Sequence, residues 1–134
     1  MEGNAMQLDF AKQGGLVPAI VQDAETGDVL MLGFMNEQAY AETWASGTVT
    51  FFSRTRGKLW RKGEQSGHTL RVREMRVDCD SDTVLIRVDP AGPGVCHEGY
   101  RSCFYRRLGP DGSAVVVSER AFDPAVVYKE GSRR

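Results

Sequence analysis

The three cysteines of this chain fall close to its densest run of acidic residues. The thiols belong to Cys79, Cys96 and Cys103, and His97 directly follows the second of them. Three thiolates with an open fourth position are typical of a catalytic zinc ion, because thiolates suit this metal and the open position admits water. Carboxylates suit a harder ion such as magnesium, calcium or manganese, and they alternate around the first thiol at Asp78, Asp80 and Asp82. Residues 78–103 therefore predict a metallohydrolase site.

The acidic run can be interpreted in three ways. If it is extended, its side chains alternate, so the three carboxylates project from one face and Cys79 from the other. The run also resembles the start of a calcium-binding EF-hand loop, but Thr83 stands where that loop requires glycine and residues 84–86 continue as a strand. We therefore reject the EF-hand, and a solvated acidic turn remains as the alternative to a metal site.

The spacing of the cysteines is weak evidence for zinc when taken alone. Cys96 follows Cys79 by 17 positions and Cys103 follows by 7 more, which matches no common structural zinc knuckle. Each cysteine could instead be a small buried hydrophobic residue. Cys96 lies in a glycine-rich loop, residues 92–99, of a composition that more often positions function. A cysteine nucleophile paired with His97 is disfavoured, because adjacent extended side chains point apart.

A basic segment with interleaved aromatic residues precedes the acidic run. Its eight cationic side chains are Arg54, Arg56, Lys58, Arg61, Lys62, Arg71, Arg73 and Arg76. Guanidinium and ammonium groups bind phosphate, and aromatic faces stack on bases, so the segment predicts a site for a nucleotide or single-stranded nucleic acid. The turn at residues 63–68 offers backbone amides and a hydroxyl for close approach of phosphate. The alternative is a strand face kept soluble by its charges.

Composition limits the number of domains, the partners and the cellular location that can be expected. A chain of 134 residues, 41% of them hydrophobic, predicts one domain over residues 1–134 with a core at about 14–108. The formal net charge of -1 predicts neither a nucleic acid nor a membrane as partner. We expect a cytoplasmic protein, since no apolar run approaches the roughly 20 residues of a membrane span and no secretory signal is visible. Frayed ends are expected up to about Gln7 and at residues 131–134.

The elements that must position these residues are mostly strands. Apolar runs at residues 16–21 and 29–35 predict a hairpin joined by a polar turn. Asn36 is typical of a helix N-cap, and the helix is predicted to run to Ala45 and end at Ser46–Gly47. Short strands are predicted at residues 48–53, 59–62, 69–77, 83–88, 103–107 and 114–118. The predicted class is α+β, a mostly antiparallel sheet with one helix.

Several segments together carry a resemblance to a known family. They are residues 16–23 (LVPAIVQD), 29–32 (VLML), 35–36 (MN), 52–54 (FSR), 59–64 (LWRKGE), 66–67 (SG), 77–80 (VDCD) with Asp82, 96–97 (CH) and 102–105 (SCFY). The chain resembles the phosphoribosyl-AMP cyclohydrolase family of histidine biosynthesis over nearly all of residues 16–107.

The resemblance implies a function and an assembly. It implies hydrolytic opening of the purine six-membered ring of a phosphoribosyl-AMP, giving the formimino-carboxamide intermediate. It further implies an intertwined homodimer with shared active sites, zinc held by Cys79, Cys96 and Cys103 of both subunits, and magnesium near Asp78, Asp80 and Asp82. His97, next to a ligand, is the expected proton shuttle because imidazole titrates in the working range. The expected substrate-binding residues are Ser53, Arg54, Trp60, Arg61, Lys62, Glu64, Ser66, Gly67, His68 and Arg71.

A different class of function competes with this one. The cysteines could hold a structural zinc in a nucleic-acid-binding module, with the basic segment following a phosphate backbone. The net charge of -1 speaks against that interpretation.

Overall fold

A computed structural model describes residues 7–127 of the chain. A short 3-10 helix at Ala11–Gln13 precedes the main elements. In chain order these are β1 (Val17–Asp23), β2 (Val29–Met35), α1 (Glu37–Ser46), β3 (Thr50–Ser53), β4 (Lys58–Arg61), β5 (Leu70–Val77), β6 (Val84–Pro90), β7 (Arg106–Leu108), β8 (Ala114–Val116) and α2 (Pro124–Val127). The predicted α+β class, mostly sheet with one substantial helix, is confirmed.

A four-stranded sheet in the order β2-β1-β6-β5 forms the centre of the fold. Neighbouring strands are antiparallel except for β1 and β6, which run parallel with Ala19 opposite Val84 and Asp23 opposite Val88. The sequence pattern did not predict this parallel pair. It arises because the long connection between β1 and β6 lets β6 enter the sheet beside β1 in the same direction.

The core lies on one face of this sheet. Along β1 the side chains of Val17, Ala19 and Val21 are fully buried, and every second residue faces the other way. The β3–β4 hairpin covers the core and brings Phe51 against β2. A Cβ atom at Gly33 would lie 2.5 Å from the Phe51 ring, so only glycine allows this close packing.

Helix α1 has the boundaries that the sequence predicts. The side chain of Asn36 accepts a hydrogen bond from the backbone amide of Ala39 at 2.8 Å, which satisfies one unpaired amide of the first turn. Gly47 ends the helix with φ of 77°, and its amide donates to the carbonyl of Thr43. Thr43 also binds the backbone of Thr50, which fastens the helix to β3.

The strand predictions hold with shifts at the ends, apart from one. The predicted hairpin of residues 16–21 and 29–35 is confirmed as β1 and β2. The strand predicted at residues 103–107 is wrong for its first three residues, because Cys103 instead donates its backbone amide to Leu30 of β2. The predicted fraying up to about Gln7 and at residues 131–134 lies outside the described residues except for Gln7 itself. No helix among residues 7–127 is long and apolar enough to cross a membrane.

The central sheet has two ends that matter for the site. The start of β6 lies beside the start of β1, and the turn of residues 78–83 precedes it. The end of β6 lies beside the end of β1 and the start of β2. Seven residues of β6 separate the two ends by about 20 Å, at about 3.3 Å per residue.

Candidate active site

The acidic residues form a turn, which we call the acidic turn (residues 78–83). Carboxylate Oδ1 of Asp78 accepts hydrogen bonds from the backbone amides of Asp82 at 3.1 Å and Thr83 at 3.2 Å. Ser81 adopts a left-handed conformation with φ of 66°. The expectation of an extended run with alternating faces is therefore wrong, because the Asp78 side chain binds the backbone locally in place of a strand partner.

The three carboxylates nevertheless converge. One oxygen from each of Asp78, Asp80 and Asp82 lies within 4.8 Å of the others, the one such group of possible metal ligands in residues 7–127. An all-oxygen donor set fits magnesium better than zinc. Lys12 approaches the same group, with Nζ 3.3 Å from Oδ2 of Asp80 and 3.3 Å from Oδ2 of Asp82. Sequence reasoning missed Lys12, since it lies 68 residues away and has no local signal.

These contacts change the acidity of the cluster. Hydrogen bonds from Asp82 and then from Lys12 lower the pKa of Asp80. Partial desolvation raises the pKa of Asp82, whose side chain is only 14% exposed. The pKa of Lys12 is raised, chiefly by its hydrogen bond to Asp82. The two carboxyl groups therefore differ in acidity, and the ammonium of Lys12 already supplies one positive charge to the cluster.

The second group of candidates lies on a segment that we call the cysteine loop (residues 94–103). The backbone amide of Val95 donates to Arg101 at 3.1 Å, and that of Cys96 donates to Tyr100 at 3.1 Å. These bonds close a tight loop with His97 near its tip. Cys96 is buried at 4% exposure, whereas His97 is half-buried with Nε2 3.4 Å from Oε2 of Glu98.

The cysteine loop is docked on the start of β2. The backbone amide of Cys103 donates to the carbonyl of Leu30 at 2.7 Å. The hydroxyl of Ser102 donates to the carbonyl of Val29 at 2.8 Å. Cys103 packs partly buried against the core. The loop that carries both cysteines therefore lies at the end of the sheet where β1 and β6 finish.

Two of the predicted substrate-binding residues reach the cysteine loop. Lys62 is buried at 3% exposure, and its Nζ donates to the backbone carbonyl of Val95. Nδ1 of His68 lies 3.1 Å from the carbonyl oxygen of Gly94. A Cβ atom at Gly92 would lie 2.3 Å from the His68 ring, so the glycine makes room for the imidazole. The fold brings the two side chains to the loop across 33 and 26 residues of sequence.

The other predicted substrate-binding residues spread around this region. Ser66 accepts a hydrogen bond from the backbone amide of His68 at 3.1 Å and so shapes the turn of residues 62–67. Gly67 has φ of 80°, and its amide donates to Gly63. Glu64, Arg61 and Arg71 of the set are exposed to solvent. Their contacts with substrate remain predictions.

A cleft of about 400 Å³ opens between β2 and the β3–β4 hairpin. Three of the predicted residues line it, namely Ser53, Arg54 and Trp60. The guanidinium carbon of Arg54 lies 4.0 Å from the centre of the Phe34 ring, which keeps the cation at the mouth of the cleft. Cation and aromatic surface are thus combined, as a phosphorylated nucleotide requires.

The basic segment is only partly neutralised. Arg73 forms an ion pair with Asp89 at 2.9 Å, and Arg76 forms one with Glu74 at 3.0 Å. Five exposed cations of the segment have no acidic partner in the described part of the chain, and these are Arg54, Arg56, Lys58, Arg61 and Arg71. They are available for an anionic ligand.

The third thiol stands apart from the other two. Cys79 is exposed in the acidic turn, before the start of β6, whereas the cysteine loop follows the end of β6. Within residues 7–127, the three thiols form no common group. The donor chemistry of three thiols fits zinc. Because one strand length of about 20 Å separates them, at about 3.3 Å per residue, a single chain does not gather them.

The chain is similar to known proteins over most of its length. The family model described as phosphoribosyl-AMP cyclohydrolase matches residues 31–105. A phosphoribosyl-AMP cyclohydrolase of Desulforapulum autotrophicum is 54% identical over 92% of this chain and 99% of its own. Proteins of the same name from Nitratidesulfovibrio vulgaris and Solibacter usitatus are 55% and 54% identical over 90% and 92% of this chain, and 95% and 97% of their own. The chain belongs to the phosphoribosyl-AMP cyclohydrolase family and is an enzyme of the hydrolase class.

Proposed function

We propose that this protein opens the purine six-membered ring of 1-(5-phosphoribosyl)-AMP by hydrolysis, as a step of histidine biosynthesis. One observation carries the proposal. The three thiols, the acidic turn and His97 all fall inside the residues that match the family model. The product is the phosphoribosyl-formimino-carboxamide ribotide. The three cysteines are thiols and not disulfides, which agrees with a reducing compartment, and we place the reaction in the cytoplasm.

The reaction adds water across one carbon–nitrogen bond. The water oxygen bonds to the amidine carbon of the ring, and the ring nitrogen takes up a proton as its bond to that carbon breaks. Zinc, when bound by the thiols, activates water at neutral pH by Lewis acidity. His97 moves the proton, because it stands beside Cys96 and imidazole titrates near neutral pH.

The substrate carries two phosphate groups at opposite ends. The five exposed cations of the basic segment supply the opposite charge, and Arg54 at the mouth of the cleft is the best placed of them. Trp60 and Phe34 supply apolar surface in the same cleft for the base or sugar. The buried ammonium of Lys62 keeps the cysteine loop in place through Val95.

We propose further that the zinc site is completed only in a homodimer. The separation of Cys79 from the cysteine loop supports this, because ligands at opposite ends of the sheet can meet when two copies associate. A second observation agrees with it. The β7–β8 hairpin is exposed along both strands, including Leu108 at 73%, and an isolated two-stranded hairpin is marginally stable.

Turnover tests the reaction directly. Zinc-loaded protein should convert 1-(5-phosphoribosyl)-AMP to the ring-opened product, followed by absorbance and by mass spectrometry, and chelation should stop the conversion while the chain stays folded. Salt-sensitive retention on single-stranded nucleic acid, with no turnover, would instead support the structural zinc module.

Subunit mixing tests the shared site. Cys79→Ser and Cys96→Ser chains, co-refolded in equal amounts, should regain about a quarter of wild-type activity, because half of the dimers are mixed and one of their two sites is intact. Cys96→Ser mixed with Cys103→Ser is the control. It should regain nothing, since both lesions lie on the same loop. Equal recovery in both mixtures, or none in the first, would contradict the shared site.

The acidic turn is expected to govern the response to magnesium. Asp80→Asn and Asp82→Asn should weaken the dependence of turnover on magnesium, since each removes one anionic ligand. Asp78→Asn should do the same while its amide oxygen still accepts the bonds that shape the turn. Zinc content should stay near wild type in all three. Asp111→Asn, an exposed carboxylate on the turn before β8, is the matched control. Magnesium titrations that coincide for wild type and all three variants would refute the assignment.

A further inference from the structure

We infer that Arg101 is the positioning residue of the cysteine loop, and that it holds Cys96 and Cys103 ready for zinc by an ion pair with Asp23. The inference rests on the proposed zinc site. Arg101 lies five residues after one thiol and two residues before the other. The proposed reaction does not use this side chain. Its polar contacts are with residues outside the cysteine loop.

One nitrogen of the guanidinium group contacts three side-chain oxygens at the end of β1 and in the turn that follows it. Nη2 of Arg101 lies 2.9 Å from Oδ2 of Asp23, 3.3 Å from Oδ2 of Asp28 and 3.1 Å from Oγ1 of Thr26. The side chain of Asp23 is only 10% exposed, so its carboxylate is largely shielded from water, whereas the guanidinium of Arg101 is 37% exposed and stays partly in solvent. The second carboxylate is exposed at 62% and adds less.

Asp23 is held in place by local hydrogen bonds. Its Oδ1 accepts hydrogen bonds from the backbone amides of Glu25 at 2.8 Å and Thr26 at 3.2 Å. It is the last residue of β1, which lies in the middle of the sheet between β2 and β6. Arg101 is therefore attached both to the end of a central strand, at Asp23, and to the turn that follows it, at Thr26 and Asp28.

Arg101 is connected to both thiols by short stretches of chain and by hydrogen bonds within the loop. Its carbonyl accepts from the amide of Val95, the neighbour of Cys96, at 3.1 Å. On the other side, Ser102 and Cys103 bind the start of β2. If the guanidinium is lost, the loop keeps these backbone bonds but loses its charged attachment, and the buried carboxylate of Asp23 loses its cation. Metal ligands need placement within about 0.5 Å, so small loop shifts matter.

The test separates positioning from stability. Arg101→Gln and Arg101→Lys are compared with Arg87→Gln, a matched control that removes an ion pair to Glu74 and a bond to the same β1–β2 turn without touching the loop. Zinc affinity is measured by chelator competition, the cobalt-substituted site by its thiolate absorption bands, and stability by urea unfolding of the metal-free protein.

Arg101→Gln should bind zinc about 10- to 100-fold more weakly and show altered cobalt bands, the usual effect of losing a group that orients metal ligands. Arg101→Lys should recover part of the zinc affinity, because lysine restores the positive charge but not the planar guanidinium group. Arg87→Gln should lose stability but keep wild-type affinity. If Arg101→Gln does not fold, Arg101→Lys and Asp23→Asn give the same comparison, because asparagine removes the charge of the partner while its amide oxygen can still accept the bonds from Glu25 and Thr26.

Zinc affinity of Arg101→Gln within about threefold of wild type, well below that range, would overturn the inference even if stability falls. The inference also fails if Arg87→Gln weakens zinc binding as much as Arg101→Gln does. Wild-type protein that binds no zinc refutes the proposed metal site itself, and this outcome is seen before any variant is made.

Discussion

Cys96→Ser is expected to lose its zinc and to reduce turnover to the background rate. A tetrahedral site with one open position has three protein ligands, and a hydroxyl replaces a thiolate poorly because it stays protonated at neutral pH. The substitution changes the shape of the loop little. Serine is close to cysteine in size, and the backbone amide of residue 96 keeps its bond to Tyr100.

Zinc per chain and turnover are measured on the same preparation. Cys79→Ser and Cys103→Ser should behave like Cys96→Ser, although Cys79 is exposed and Cys96 is buried. Val95→Ala is the matched control, since Val95 is the buried neighbour in the same loop. That variant should lose stability by removal of buried methyl groups and keep its zinc. Full zinc occupancy with normal turnover in any cysteine variant would show that the replaced cysteine is not a zinc ligand.

The parts of the fold with local signals were predictable from the sequence. Asn36 and Gly47 define α1 because a cap acceptor and a left-handed glycine act within one turn of chain. The β1–β2 hairpin follows from two apolar runs and the polar turn between them. The parallel contact of β1 with β6 had no such signal, since it depends on where a long connection returns to the sheet.

The geometry of the candidate site was predictable only in part. The carboxylates of the acidic turn do converge, but through a turn shaped by Asp78 and not through alternation along a strand. Lys12 and Arg101 escaped sequence reasoning, because their ion pairs join residues 68 and 78 positions apart and leave no spacing to recognise. The separation of Cys79 from the cysteine loop also becomes visible only once the strand order is known.

His97→Ala is expected to keep its zinc and to lose turnover by about 10²- to 10⁴-fold, the usual contribution of a positioned general acid or base. Three thiolates carry the affinity for the metal, so removing an imidazole beside them changes it little. Nε2 of His97 lies 3.4 Å from Oε2 of Glu98, and this carboxylate can orient the ring. The limb of the pH-rate profile that lies near the ordinary histidine pKa should disappear with the side chain.

His68→Ala is the matched control for this prediction. His68 also reaches the cysteine loop, but its ring is engaged by the carbonyl of Gly94 and packs edge-on against Phe122 with ring centres 4.8 Å apart. Its loss should therefore lower stability and leave the shape of the pH-rate profile intact. If His97→Ala loses zinc together with activity, His97 is a zinc ligand. A rate within about threefold of wild type, far below the general acid–base range, would show that His97 only neighbours the metal.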